Sequence, residues 1–197
     1  MKILCVSDTI CKNLLEPVAG GPAINGVELI LGCGDLPPEY LTTLRFRYDT
    51  PLFYVLGNHD LRFTSSPPRG CRHVDRQLVK NGPLRIIGFS GSRWYNGSIN
   101  QYTEQQMAWF ITLMRFRLWR HRGVDIVISH APPRFIHDAE DPCHRGFRAF
   151  RRFIDKYRPA YFIHGHIHAL FNDPAERITR INSTSVINSY GYYLLEI

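Results

Sequence analysis

Short apolar runs punctuate the chain, each closed by a polar turn: 2–7 (KILCVS), 27–32 (VELILG), 51–56 (PLFYVL), 84–89 (LRIIGF), 124–129 (VDIVIS) and 160–164 (AYFIH). Runs of this length, rich in aliphatic side chains and lacking strict alternation, predict buried strands. Between them, Met107, Phe110, Ile111, Met114 and Leu118 recur at three- and four-residue intervals, predicting a helix over 103–121 with that stripe in the core. A second helix is predicted over 145–157. Strands alternating with helices imply an α/β domain with largely parallel central strands.

The C-terminal part breaks this alternation. Segments 178–181 (ITRI), 184–188 (TSVIN) and 192–196 (YYLLE) leave no room for helices, and Asn182-Ser183 and Gly191 supply turns. They predict an antiparallel meander. No repeat or low-complexity tract divides the sequence, so one domain over 1–197 is expected.

Composition narrows the function classes. At 44% hydrophobic and 21% charged residues, the chain is too apolar for intrinsic disorder. No apolar run approaches the roughly 18–20 residues that cross a bilayer, and the run after Lys2 is shorter than the apolar stretch of a secretory leader. A soluble, cytoplasmic protein without a membrane partner is expected. Five cysteines with no C-x-x-C pair fit reduced thiols better than a disulfide framework or zinc ribbon. The net charge of +7 favours anionic partners.

The candidate chemistry lies where the strands end. Asp8, Asp35, Asn58, His59, His130, His166 and His168 each follow a predicted strand. Ligands of open α/β sheets bind beyond the carboxyl ends of the strands, so these five distant segments are expected to meet in one crevice and hold metal.

The ordered set Asp8, Gly34-Asp35, Gly57-Asn58-His59-Asp60, His130 and Gly165-His166-Ile167-His168 resembles the motifs of the calcineurin-like metallophosphoesterase family and covers most of the chain. The resemblance implies an α/β/β/α sandwich: two sheets flanked by helices, with metals at the strand C-terminal ends. It implies that Asp35 bridges two ions, that Asn58, His130 and His166 complete one site, and that Asp8 and His168 contribute to the other. It further implies a metal-dependent phosphoesterase in which metal-bound hydroxide attacks the ester. His59 would be the general acid that protonates the leaving alkoxide, with Asp60 orienting it. The first motif departs from the family's Asp-x-His: it reads Asp8-Thr9-Ile10, so the second site lacks an imidazole and is expected to bind weakly. The mixed donors suit one or two divalent transition-metal ions, Mn, Fe, Zn or Co, better than calcium. His164 lies inside a strand and is expected to be structural.

The loop 130–146 is expected to flank the metals, with His137, Asp138, His144 and Arg145 as candidates for contacting substrate; Arg93, beside Trp94 and Tyr95, is another. A small phosphate ester, preferably a diester, is the expected substrate. Arg115, Arg117, Arg120 and Arg122, interleaved with Phe116 and Trp119, and the basic residues of 145–158 are compatible with a nucleic-acid backbone. A solvated basic face over core aromatics is favoured instead. Loss of the first-motif histidine also keeps open a non-catalytic, metal-binding scaffold for a protein partner.

Overall fold

The computed structural model describes residues 1–16 and 24–197. Its elements run β1 (Lys2–Ser7), β2 (Val27–Cys33), α1 (Pro38–Arg47), β3 (Leu52–Val55), β4 (Arg72–His73), β5 (Leu78–Asn81), β6 (Leu84–Phe89), β7 (Ser92–Arg93) and β8 (Gln101–Tyr102). They continue with α2 (Glu104–Arg120), β9 (Ile126–Ser129), α3 (Arg148–Tyr157), β10 (Tyr161–His164), β11 (Ile178–Ile181), β12 (Thr184–Asn188) and β13 (Gly191–Glu196).

Two sheets carry the fold, ordered β13-β1-β2-β3-β4 and β11-β12-β10-β9-β6-β5. The inner strands β1, β2 and β3 pair in parallel, as do β6, β9, β10 and β12. Ile3, Leu29, Leu31 and Val55 of the first sheet pack against Ile86, Ile126, Ile128 and Ile163 of the second. The outer face of the first sheet packs on α1 through Leu4, Ile30, Tyr40, Leu41 and Leu44. That of the second packs on α2 and α3 through Val127, Phe162, Met107, Met114, Phe150 and Phe153. The result is the four-layered helix–sheet–sheet–helix arrangement expected. Because consecutive parallel strands end on the same side, Ser7, Cys33, Val55, Ser129 and His164 all deliver the chain to one rim.

Helix α2 begins where Thr103 caps it: the Thr103 hydroxyl accepts from Gln106 N, and the Gln106 side chain accepts from Thr103 N. Helix α3 starts later than predicted, at Arg148, because Glu104 rather than a local side chain accepts from its first amides, those of Arg148 and Ala149.

The C-terminal meander is corrected. Strands β11 and β12 do form an antiparallel pair, but β12 also pairs in parallel with β10, and β13 belongs to the other sheet, antiparallel to β1. Between them Ser189 bonds across the sandwich, its amide and hydroxyl donating to His164 O and its hydroxyl lying 3.2 Å from that of Ser7. Gly191, at φ 73°, then turns the chain into β13.

Two helix-stripe expectations also change. Met107, Met114 and Leu118 are buried as predicted, but Phe116 and Trp119 are 69% and 75% exposed, so they are not core aromatics. They project from the side of α2 opposite the sheet.

Candidate metal centre

Three of the rim residues adopt a left-handed backbone: Asp8 (φ 66°), Asp35 (φ 54°) and His166 (φ 68°). Non-glycine residues in that region cost about 1–3 kcal/mol each and cluster at functional sites. Here the conformation is held by hydrogen bonds between rim loops. His166 N donates to both Asp8 carboxylate oxygens (3.1 and 3.0 Å), and His59 N donates to Asp35 Oδ1 (2.9 Å). The neighbouring glycines make room for the two carboxylates. A Cβ on Gly57 would collide with the Asp35 carboxylate, and one on Gly165 would lie 2.6 Å from Asp8 Oδ2.

Four polar atoms from four segments converge. His130 Nε2 lies 3.0 Å from Asn58 Oδ1, 3.0 Å from His166 Nδ1 and 3.3 Å from Asp35 Oδ2. Donor atoms of Asp35, His130 and His166 all lie within 4.8 Å of one another, close enough to share one ion. The outer nitrogens fix the tautomers. His130 Nδ1 is 2.9 Å from Cys33 O and His166 Nε2 is 2.8 Å from Cys143 O, so each donates outward and turns a lone pair inward. Two inward lone pairs facing a carboxylate and an amide oxygen make a poor hydrogen-bond network but a good ligand set. The imidazole, amide and carboxylate donors therefore fit a divalent transition metal.

The charges agree. Burial opposes charge on Asp35, but the facing His130 and the His59 amide outweigh it and hold its carboxyl at about 2. Burial likewise works against protonation of His130, yet Asp35 and then Asp8 raise it to about 9. His166, buried and beside the His130 charge, is depressed to about 4. The pocket thus draws one positive charge to its centre.

Asp8 and His168 stand beside this cluster. His168 Nε2 is 3.4 Å from Asp8 Oδ1, an arrangement that raises the imidazole above its ordinary range, and its ring stacks on Tyr190 at 4.8 Å. Ile10 is 47% exposed and offers no ligand.

The remaining candidates fall elsewhere. His59 is exposed at the rim, lining a cavity of about 180 Å³ with Asp35, Asp60 and Phe63. Among the described residues no hydrogen bond joins Asp60 to the His59 imidazole. The buried Asp60 carboxylate accepts from Gly57 N (2.7 Å) and Asp35 N (2.9 Å), tying two ligand loops together, and burial pushes it up to about 6. Arg93 pairs with Glu104 (3.2 Å), and Asp138 accepts from Arg134 (2.6 Å) and Gly146 N (3.0 Å). Arg145 donates to Glu140 O (2.7 Å). These three are committed to internal partners. His137 is held between His164 (2.9 Å) and Thr179 (2.8 Å), so of the five substrate candidates only His144 approaches the centre, its ring 5.3 Å from that of His166 and its Nδ1 3.0 Å from Asp141.

Two contributors were not singled out from sequence. Asn58 Nδ2 donates to the Tyr95 hydroxyl (3.2 Å), which aims the amide oxygen inward, and the Cys143 carbonyl orients His166. Tyr95 lies two residues from Arg93 in a segment already marked as a candidate; Cys143 acts through its main chain, which no side-chain pattern can reveal.

A two-sheet sandwich with acidic, amide and imidazole donors gathered at its strand ends has the architecture of the metallophosphoesterases. Residues 1–170 match the family model for calcineurin-like phosphoesterases. The chain belongs to that family. No curated protein matches it in sequence. Among solved structures it is similar to TT1561 of Thermus thermophilus, at 15% identity and a TM-score of 0.64, over 98% of this chain and 93% of that one. It is also similar to the calcineurin-like phosphoesterase YfkN of Bacillus subtilis, at 13% identity and a TM-score of 0.54, over 98% and 83%. At these identities the likeness is one of fold.

Proposed function

We propose that the protein is a metal-dependent phosphoesterase that hydrolyses a small phosphodiester. The convergence of Asn58 Oδ1, His166 Nδ1 and Asp35 Oδ2 on His130 Nε2 carries this reading. Asp35, Asn58, His130 and His166 would hold one divalent ion, and Asp8 and His168 a second, weaker one. Such ions supply Lewis-acid activation of water and of the phosphoryl group.

The chain's own groups do the rest. Asp35 supplies the buried negative charge of the site and, through its own amide and carboxylate, fixes the loops of Asp60 and His59. Asn58 is aimed by Tyr95. His59 stands at the open rim, where its imidazole can give a proton to the departing alkoxide oxygen. One cavity, that of His59, borders the centre at Asp35, and a second opens beyond His168 with none of the proposed ligands in its lining. The second, of about 540 Å³, is lined by Tyr190, Tyr192, Phe171 and Arg177; its volume and aromatic walls suit an organic group.

The nuclease reading finds less support. Helix α2 leads into β9, whose far end carries His130, so Arg115, Arg117, Arg120 and Arg122 lie toward the end of the sheet remote from that histidine. The test is hydrolysis of bis(p-nitrophenyl) phosphate with added manganese. Wild type is expected to turn over, with Asn58→Ala and His130→Ala variants reduced to background. Equal inertness of all three with manganese, zinc, iron and cobalt would overturn the enzyme reading in favour of a metal-binding scaffold.

A further inference from the structure

Helix α2 is apolar on two opposite sides. Its inner side is the buried stripe of Met107, Met114 and Leu118. On its outer side Trp109 (60%), Leu113 (58%), Phe116 (69%) and Trp119 (75%) stand exposed. Positions 109, 113 and 116 fall on one line along a helix, and the Phe116 and Trp119 rings lie 5.8 Å apart. A single exposed apolar side chain needs no explanation, but four on one helix face mark a contact surface.

Cations border this crest. Arg115, Arg117, Arg120 and Arg122 come from α2 and the turn after it, and Arg152 and Lys156 from α3. Among the described residues only Arg152 has a carboxylate partner, Glu104 at 3.5 Å. The crest, in which the Thr112 hydroxyl is turned back onto Ala108 O, and its largely unpaired basic border fit an occupant that is both apolar and anionic.

A second copy of the chain fits poorly, since a two-fold contact through this face would set arginines against arginines on a chain of net charge +7. Single-stranded nucleic acid stacks on aromatic platforms along a groove. Here the aromatics crown a convex helix, with Leu113, which cannot stack, in the middle. An anionic lipid surface meets each feature: Trp, Phe and Leu enter the boundary between headgroups and acyl chains, while the long stems of Arg and Lys reach sideways to lipid phosphates. We propose that α2 docks the protein on the surface of an anionic bilayer, lying in the plane of the interface. No helix among the described residues is long and apolar enough to cross a membrane, so α2 is a surface contact.

The test is co-sedimentation of the full chain with phosphatidylcholine vesicles, with and without phosphatidylglycerol. Binding is expected only to the anionic vesicles and is expected to weaken with salt. The triple variant Trp109→Ser, Phe116→Ser, Trp119→Ser should lose binding while keeping its circular dichroism spectrum and its phosphoesterase activity. As an independent variant, Arg115→Gln with Arg120→Gln should bind about fivefold more weakly per arginine removed. Wild type that stays in solution with phosphatidylglycerol vesicles overturns the proposal, as does a triple variant that binds them as well as wild type. Sensitivity of oligonucleotide binding or of dimerisation to the triple substitution, without vesicle binding, would assign the face to nucleic acid or to a second copy instead.

Discussion

His166 Nδ1 lies 3.0 Å from His130 Nε2, and the other nitrogen of each ring meets a main-chain carbonyl. Two buried imidazoles held lone pair to lone pair repel unless a cation sits between them or one takes up a proton. That relationship makes a set of polar strand ends a candidate metal centre. The protein fixes it through atoms of the main chain, Cys33 O and Cys143 O.

The outer support of the centre is testable at Tyr95. Its hydroxyl accepts from Asn58 Nδ2, and removing such a partner typically costs about 10–100-fold in metal affinity or activity. Tyr95→Phe is therefore expected to weaken manganese binding by about tenfold or more in calorimetric titration, without lowering the melting temperature substantially. Unchanged affinity would show that Asn58 is aimed by something else.

The two metal positions are expected to be unequal. On the proposed assignment Asp35, Asn58, His130 and His166 would serve one, whereas among the described residues Asp8 and His168, besides the shared Asp35, would serve the other, and Ile10 would add nothing. Manganese titration should find one tight and one weak ion. Ile10→His, at an exposed position where the larger ring meets no core, should tighten the weak one. Two equally tight ions in the wild type would contradict the asymmetry.

His59 is expected to matter in proportion to how badly the leaving group needs a proton. General acids contribute about 10²–10⁴-fold. His59→Gln should lower turnover of an alkyl phosphodiester by an amount in that range, while a p-nitrophenyl ester, whose phenolate leaves readily, should fall far less. Equal losses on both substrates would assign His59 to binding rather than proton transfer.

A second imidazole pair governs stability. Thr179 Oγ1 donates to His137 Nε2 (2.8 Å), His137 Nδ1 donates to His164 Nε2 (2.9 Å), and His164 Nδ1 donates to Gly165 O (2.9 Å), an order that keeps both rings neutral. Burial depresses His137, and burial followed by the facing His137 depresses His164 further. With folded values below the unfolded value of about 6.5, the unfolded chain binds more protons in acid, so stability is lost as pH falls below about 6.5. Urea unfolding of metal-free protein should show this loss, and His164→Gln should shallow its slope by about one proton. An unchanged slope would mean that His164 is protonated in the fold.

Much of this centre is legible in the sequence because a histidine or aspartate just after an apolar run is conspicuous, and parallel strands bring such positions together. Helix α1 escaped notice: its buried stripe is only Tyr40, Leu41 and Leu44, crowded between Pro37-Pro38 and Pro51. Spacing gave β12 and β13 the look of a hairpin because a turn between strands reads the same whether it stays in one sheet or crosses to another. Charge misled in the same way. Arg93, Asp138 and Arg145 are polar residues in the right loops, but their partners Glu104, Arg134 and Glu140 are set by tertiary packing. For Phe116 and Trp119, the period marked a helix correctly and could not say that it has two apolar sides.

The most direct test of the metal centre is anomalous scattering from a manganese-loaded crystal. The strongest peak is expected between His130 Nε2 and His166 Nδ1, about 2.0–2.3 Å from each, with Asn58 Oδ1 and Asp35 Oδ2 also in its coordination sphere. A crystal grown at a manganese concentration that supports hydrolysis, with no peak there or with its ion bound elsewhere, would contradict it.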